Sequence, residues 1–129
     1  MNSPARKATV ILVVDDDALI NMNAVDMIEQ LGHTALEAYN GREALTILAS
    51  DQQIDLMITD YAMPGMSGVE LADQARQLRP QLAILLATGY SELPSGVEVD
   101  LPRLSKPYQQ SELADQLMIL LNEAAPQAR

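Results

Sequence analysis

The stretch ILVVDDDALI, residues 11–20, runs four apolar residues straight into three carboxylates. Adjacent carboxylates repel and disfavour each other's charged forms, so Asp15, Asp16 and Asp17 call for a compensating positive charge. A helix N-cap needs one acidic side chain, which suits Asp17 and leaves Asp15 and Asp16 to be explained. Other polar residues also close apolar runs: Thr59 with Asp60, Thr88 with Gly89, and Ser105 with Lys106 and Pro107. Each has a plainer reading, since Asp and Thr suit turns and most lysines are simply solvated. As a set they have the donors that a hard divalent cation and a phosphoryl group require. Magnesium takes oxygen ligands and is often held by one or two carboxylates plus a phosphate. A lysine and a hydroxyl can bond the remaining phosphoryl oxygens. Phosphoryl transfer mainly needs positioning and charge neutralisation, and a carboxylate can serve as nucleophile, giving an aspartyl phosphate.

The elements that must position these residues alternate in kind. TVILVV (9–14), DLMIT (55–59) and LAILLA (82–87) are short continuous apolar runs, as expected of parallel strands covered on both faces. HTALEA (33–38) is a weaker strand pattern, and LPRLS (101–105) a short fifth. Between them, Ile20, Ala24, Met27, Ile28 and Leu31 recur at helical spacing before Gly32. Asn40 with Glu43, and Ser67 with Glu70, predict two further helix starts, the second helix ending at Pro80. Leu113, Leu117, Leu120 and Leu121 stripe a last helix. Such alternation predicts an α/β fold, an open parallel sheet with helices on both faces. In such sheets ligands bind beyond the carboxyl ends of the strands, where the polar residues above fall. Pro94, Gly96 and Pro102 interrupt residues 90–102, so any helix there is short or irregular.

Composition narrows the function classes. The 129 residues suit one domain with a core over 8–123 and frayed tails. A net charge of −10 argues against direct binding to nucleic acid or to an anionic membrane surface. With no cysteine and the single His33, disulfides, thiolate chemistry and multi-histidine metal sites are excluded. No apolar run approaches the roughly 20 residues of a membrane span. The N-terminal MNSPARKAT lacks the apolar stretch of a signal peptide, so a cytoplasmic location is expected.

ILVVDDD, ITDYAMPGMSG, LLATGYSE and SKPY, in this order, resemble the receiver domain of two-component response regulators over about residues 8–123. The resemblance implies a flavodoxin-like five-stranded sheet of order 2-1-3-4-5. It implies Asp60 as phosphoacceptor, and Asp15 and Asp16 as the acidic pair for Mg2+, with the backbone carbonyl of Ala62 as a further ligand. Thr88 matches the switch hydroxyl, Lys106 the lysine that pairs with the phosphoryl group, and Pro107 a proline usually preceded by a cis peptide bond. Gly65 and Gly68 shape the loop after the acceptor, and Asp17 fits a less strict third acidic position. The implied partner is a histidine kinase or a histidine phosphotransfer protein, and a homodimer is compatible with the pattern. The domain would catalyse its own phosphorylation and dephosphorylation and is an enzyme only in that limited sense.

Two departures stand out. Thr88 and Lys106 are 18 positions apart, fewer than is usual in the family, and Arg103 stands where a switching aromatic is often found. Tyr90 is the nearest substitute, and the usual coupling of hydroxyl to aromatic is put in question. Receivers attached to hybrid histidine kinases include some with this shortened segment. With no DNA-binding domain after residue 123, output is expected through a partner or another part of a longer chain. Three alternatives stand beside this reading. A phosphatase of the haloacid dehalogenase type would use Asp15 as nucleophile, with Asp17 completing Asp-x-Asp. A flavodoxin-like flavin carrier would need phosphate donors where DDD stands. A degenerate receiver would bind without being phosphorylated.

Overall fold

The structure, a computed structural model, describes residues 9–89 and 101–124, with side chains described as far as residue 121. The apolar run before the acids becomes strand β1 (Val10–Val14), buried along its whole length. The chain continues through α1 (Ala18–Gln30), β2 (Thr34–Ala38), α2 (Gly41–Ala49), β3 (Leu56–Asp60), α3 (Gly68–Leu78), β4 (Ala83–Thr88), β5 (Arg103–Ser105) and α4 (Gln110–Ala124). All strand pairs are parallel, in the order β2-β1-β3-β4-β5. This is the doubly wound, flavodoxin-like arrangement that the resemblance implied. The short or irregular fourth helix expected after β4 and the two tails fall on residues 90–100, 1–8 and 125–129, outside the described residues.

Strand side chains alternate between two apolar layers. Leu12, Val14, Met57 and Ile84 pack with Ala44 and Leu48 of α2 and with Leu71, Ala72 and Ala75 of α3. Ile11, Val13, Leu56, Ile58, Leu85 and Ala87 face the other way, onto Ala24 and Ile28 of α1 and Leu113 and Leu117 of α4. Burial on both faces is why these strands carry no polar alternation. β2 is an edge strand with Thr34 and Glu37 exposed, so its sequence signal is weaker.

Each helix that leads away from the site begins at a cap. Asp17 Oδ1 accepts from the amides of Leu19 and Ile20, at 3.0 and 3.2 Å, so the third acid of the run is the N-cap of α1. Ser67 and Glu70 form a reciprocal capping box at α3. Asn40 caps α2 through the Glu43 amide, but Glu43 Oε1 reaches back one residue further than expected, to the Tyr39 amide at 2.7 Å. α1 ends where Gly32 takes a left-handed φ of 96°. α3 ends before Pro80, and its C-cap Arg79 crosses to α2. There its guanidinium donates to the carbonyls of Leu48 (3.0 Å) and Ser50 (2.8 Å). It thereby satisfies carbonyls that the end of α2 leaves unpaired. Arg79→Ala should cost about 1–2 kcal/mol, read as a lower urea midpoint with an unchanged slope; an unchanged midpoint would show that water replaces the guanidinium at no cost.

Candidate functional site

The strand order brings distant residues to one rim. Val14 pairs with Thr59, so the ends of β1 and β3 lie side by side, with Asp15 just after β1 and Asp60 as the last residue of β3. Asp60 and Thr88 close the ladders of β3 and β4 from inside: Asp60 pairs with Ala87 and Thr88 with Ser105. The strands therefore run one residue further than their apolar segments, and both polar residues are backbone-paired and buried. The Lys106 amide then donates to the Thr88 carbonyl at 2.8 Å, tying the lysine to the residue that bears the hydroxyl.

Carboxylate oxygens of Asp15, Asp16 and Asp60 all lie within 4.8 Å of one another. Lys106 Nζ sits 2.7 Å from Asp60 Oδ1 and 3.8 Å from Asp15 Oδ2. Asp15 Oδ1 also accepts from the Asp17 amide at 2.9 Å. Asp15 and Asp60 are buried while Asp16 is exposed, so the cluster is open to solvent on the Asp16 side. Burial is the largest influence on the Asp15 carboxyl and pushes its pKa above the ordinary value. The Asp17 amide and Lys106 oppose that rise, and the charges of Asp16 and Asp17 add to it. Three oxygen donors at this spacing, with repulsion left over after one ammonium, form a donor set that fits a small hard cation.

The loop after β3 is set by two glycines for different reasons. Gly65 has a left-handed φ of 84°, which side chains rarely adopt. Gly68 needs space: a Cβ there would run into the Asp60 carbonyl oxygen and lie 2.9 Å from Leu86 Cδ1. The first turn of α3 is thus pressed against the backbone of Asp60. Ala62 is exposed in this loop, and the Lys106–Pro107 bond is cis.

Residues 11–118 match the family described as the response regulator receiver domain. The chain belongs to that family. It is a receiver domain of two-component signalling, and receivers interact with histidine kinases or phosphotransfer proteins. It is 31% identical over 115 residues to the response regulator receiver protein CpdR of Brucella abortus, covering 86% of this chain and 95% of that protein. It is also 32% identical over 123 residues to the sensor kinase CckA of the same organism, covering 90% of this chain but only 13% of the kinase. Among solved structures, a receiver domain protein from Methanospirillum hungatei superposes with a TM-score of 0.82 at 28% identity, covering 92% of this chain and 97% of that one. The response regulator TrrA of Thermotoga maritima, solved in complex with Mg(2+)-BeF, gives 0.77 at 32% identity, covering 87% and 98% of the two chains. Membership sets aside the phosphatase and flavin-carrier alternatives. Among the described residues, no helix of this receiver is long and apolar enough to cross a membrane.

Every residue singled out in the sequence as a donor of this receiver lies at the one rim. Arg103 is exposed on β5, and Tyr90 lies outside the described residues. Two contributors escaped the sequence reading. The Tyr108 phenol is pushed up to about 12, first by burial and then by the charges of Asp15 and Asp60, with Lys106 opposing. Its ring lies against the apolar layer between α1 and α4, within the field of the acids. The second is Asn21, a fully buried polar side chain behind the acids. Its signal was a polar residue three before Ala24 on the apolar stripe of α1.

Two outcomes follow from the packing of these groups. Gly68→Ala should destabilise by about 1–3 kcal/mol, measured by urea unfolding; full stability would mean that α3 can retreat from Asp60 freely. The raised Asp15 pKa gives a signed pH dependence. Its stabilising contribution is complete below the unfolded value of 3.8 and is lost as pH rises through the higher folded value. Metal-free Asp15→Asn should therefore unfold at a higher urea concentration than the parent at neutral pH. The gap should close below pH 3.8. A lower midpoint for the variant at neutral pH would show that the Lys106 attraction outweighs the burial.

Proposed function

We propose that this receiver accepts a phosphoryl group on Asp60 from a phosphohistidine of a histidine kinase or histidine phosphotransfer protein. The observation that carries this reading is the buried Asp60 carboxylate, 2.7 Å from Lys106 Nζ and within 4.8 Å of the oxygens of Asp15 and Asp16. Asp15, Asp16, Asp60 and the Ala62 carbonyl would hold Mg2+. When bound, the ion neutralises negative charge on the acids and on the incoming phosphoryl oxygens.

Asp60 supplies the nucleophilic oxygen. A bond forms from Asp60 Oδ to phosphorus as the phosphorus–nitrogen bond to the donor imidazole breaks, and the imidazole leaves with a proton taken up from solvent. The product is an acyl phosphate, which water later cleaves to inorganic phosphate and free Asp60. Lys106 donates to a phosphoryl oxygen once Asp60 is esterified, and Thr88 supplies a hydroxyl from the neighbouring strand end. Contacts that exist only in the phosphorylated form then shift an equilibrium between two states of the domain.

The donor reaches Asp60 across a surface that fits a protein partner. An open apolar groove of about 320 Å³ lies between Ile20, Asn23, Ala24 and Met27 of α1 and the Lys106–Tyr108 loop. Leu19 and Met22 stand exposed on the same helix. As a unit we assign residues 8–123 to one receiver core, whatever further parts the full protein has.

Acetyl phosphate with Mg2+ should label the wild-type chain on Asp60, as located by peptide mass mapping. Asp60→Asn should abolish the label and keep the fold, judged by far-UV circular dichroism. Full labelling of that variant, or a label on Asp15, would place the acceptor elsewhere. No labelling of the wild-type chain by acetyl phosphate or by a phosphorylated kinase would leave the degenerate receiver as the reading.

A further inference from the structure

Asn21 lies in the second turn of α1, fully buried, where the apolar stripe of the helix faces the sheet. Its Nδ2 donates to the Asp15 carbonyl at 3.1 Å and to the Ala38 carbonyl at 3.0 Å. Two carbonyl acceptors fix which end of the amide faces them, because a flipped side chain would set oxygen against oxygen. Asn21 Oδ1 is left buried with no hydrogen-bond partner. The Asn21 amide nitrogen of the main chain donates to the Asp17 carbonyl at 2.9 Å. One residue thus holds the end of β1, the end of β2 and the start of α1.

A helix position of this kind ordinarily takes an apolar side chain. A buried amide with an unpaired oxygen costs free energy that leucine would not. The use to which the amide is put is therefore informative. The carbonyl it grips belongs to the peptide joining Asp15 to Asp16. A peptide unit is planar, so fixing its oxygen fixes the direction in which Asp16 leaves β1.

The three acids are not held alike. Asp60 is held by Lys106, and Asp15 by Lys106 and by the Asp17 amide. The Asp16 carboxylate is exposed and makes no hydrogen bond or ion pair with the described residues. Among the described residues, its place beside the other two is set by the backbone that carries it. Asn21 clamps that backbone from the buried side.

We infer that Asn21 is a positioning residue for the acid cluster: through the Asp15 carbonyl it places Asp16, and so sets the affinity of the site for a divalent cation. The inference rests on the metal reading of Asp15, Asp16 and Asp60 given above. Residues that orient ligands from behind commonly change metal affinity by about 10- to 100-fold when removed.

The test is a Mg2+ titration of the whole chain followed by backbone amide NMR shifts, beside urea unfolding without metal. The variants are Asn21→Leu, Asn21→Ser and, as a control, Ala24→Gly. Ala24 is a buried residue of the same helix that makes no bond to the strand ends. Asn21→Leu should lose affinity by roughly tenfold or more, and Asn21→Ser, which keeps one donor, by less. Ala24→Gly should lose stability and keep wild-type affinity. Wild-type affinity in both Asn21 variants would overturn the inference while leaving the metal reading in place. Loss of affinity in Ala24→Gly in proportion to its loss of stability would also overturn it, because Asn21 would then be acting through the fold alone. Failure of the wild-type chain to bind Mg2+ would overturn the metal reading and the inference with it. Should Asn21→Leu not fold, Asn21→Ser decides the matter by the same comparison.

Discussion

Negative charge is concentrated at one edge of the sheet, and the architecture is organised around that concentration. Three carboxylates gather at the ends of two adjacent strands, and the Lys106 ammonium touches two of them. The parallel sheet makes this possible. Right-handed crossovers return every strand in the same direction, so all carboxyl ends collect at one rim. The adjacency of β1 and β3 then brings Asp15 beside Asp60, and β4 and β5 carry Thr88 and Lys106 in from the other side. Burial sharpens the repulsion, since Asp15 and Asp60 cannot spread their charge into water.

The apolar layers and the caps can be understood as what keeps that edge from relaxing. Gly68 lets the start of α3 lie against the Asp60 carbonyl, so the acid cannot back away from its neighbours. Asp17 is spent on the cap of α1 and its main-chain amide on Asp15, so that of the two exposed acids only Asp16 belongs to the cluster. Three consecutive residues of one type therefore do three jobs. Surroundings separate them: Asp15 is buried and paired, Asp16 is exposed beside the cluster, and Asp17, also exposed, caps the helix.

Much of this was legible in the residues themselves. Continuous apolar runs marked β1, β3 and β4 because both of their faces are covered. The edge strands β2 and β5 read weakly because Thr34, Glu37, Arg103 and Ser105 face solvent. Strand order came only from the family pattern, since an apolar run carries no mark of its neighbour. The runs also stopped one residue short at β3 and β4, because hydrophobicity reports burial and not pairing, and Asp60 and Thr88 are paired polar residues. Asn21 was missed for a related reason. An asparagine between Ile20 and Met22 looks like a surface residue until the strand ends it bonds are brought behind it. The family pattern marks Gly68 as shaping its loop, but that it has no room for a Cβ depends on how closely α3 approaches β3.

The two halves of the site differ in how firmly they are built in. β3 lies inside the sheet with a neighbour on each side, whereas β5 is three residues long and, among the described residues, pairs with β4 alone. Asp60 therefore sits on the most enclosed part of the sheet, while Lys106 follows its shortest seam. Segments with few partners open at less cost than the core to which they attach. Lys106 and Thr88 also share a main-chain hydrogen bond, so a pull on either is felt by the other. Among the described residues the β4–β5 seam is thus the shortest in the sheet, and it is the one that carries both the lysine and the hydroxyl.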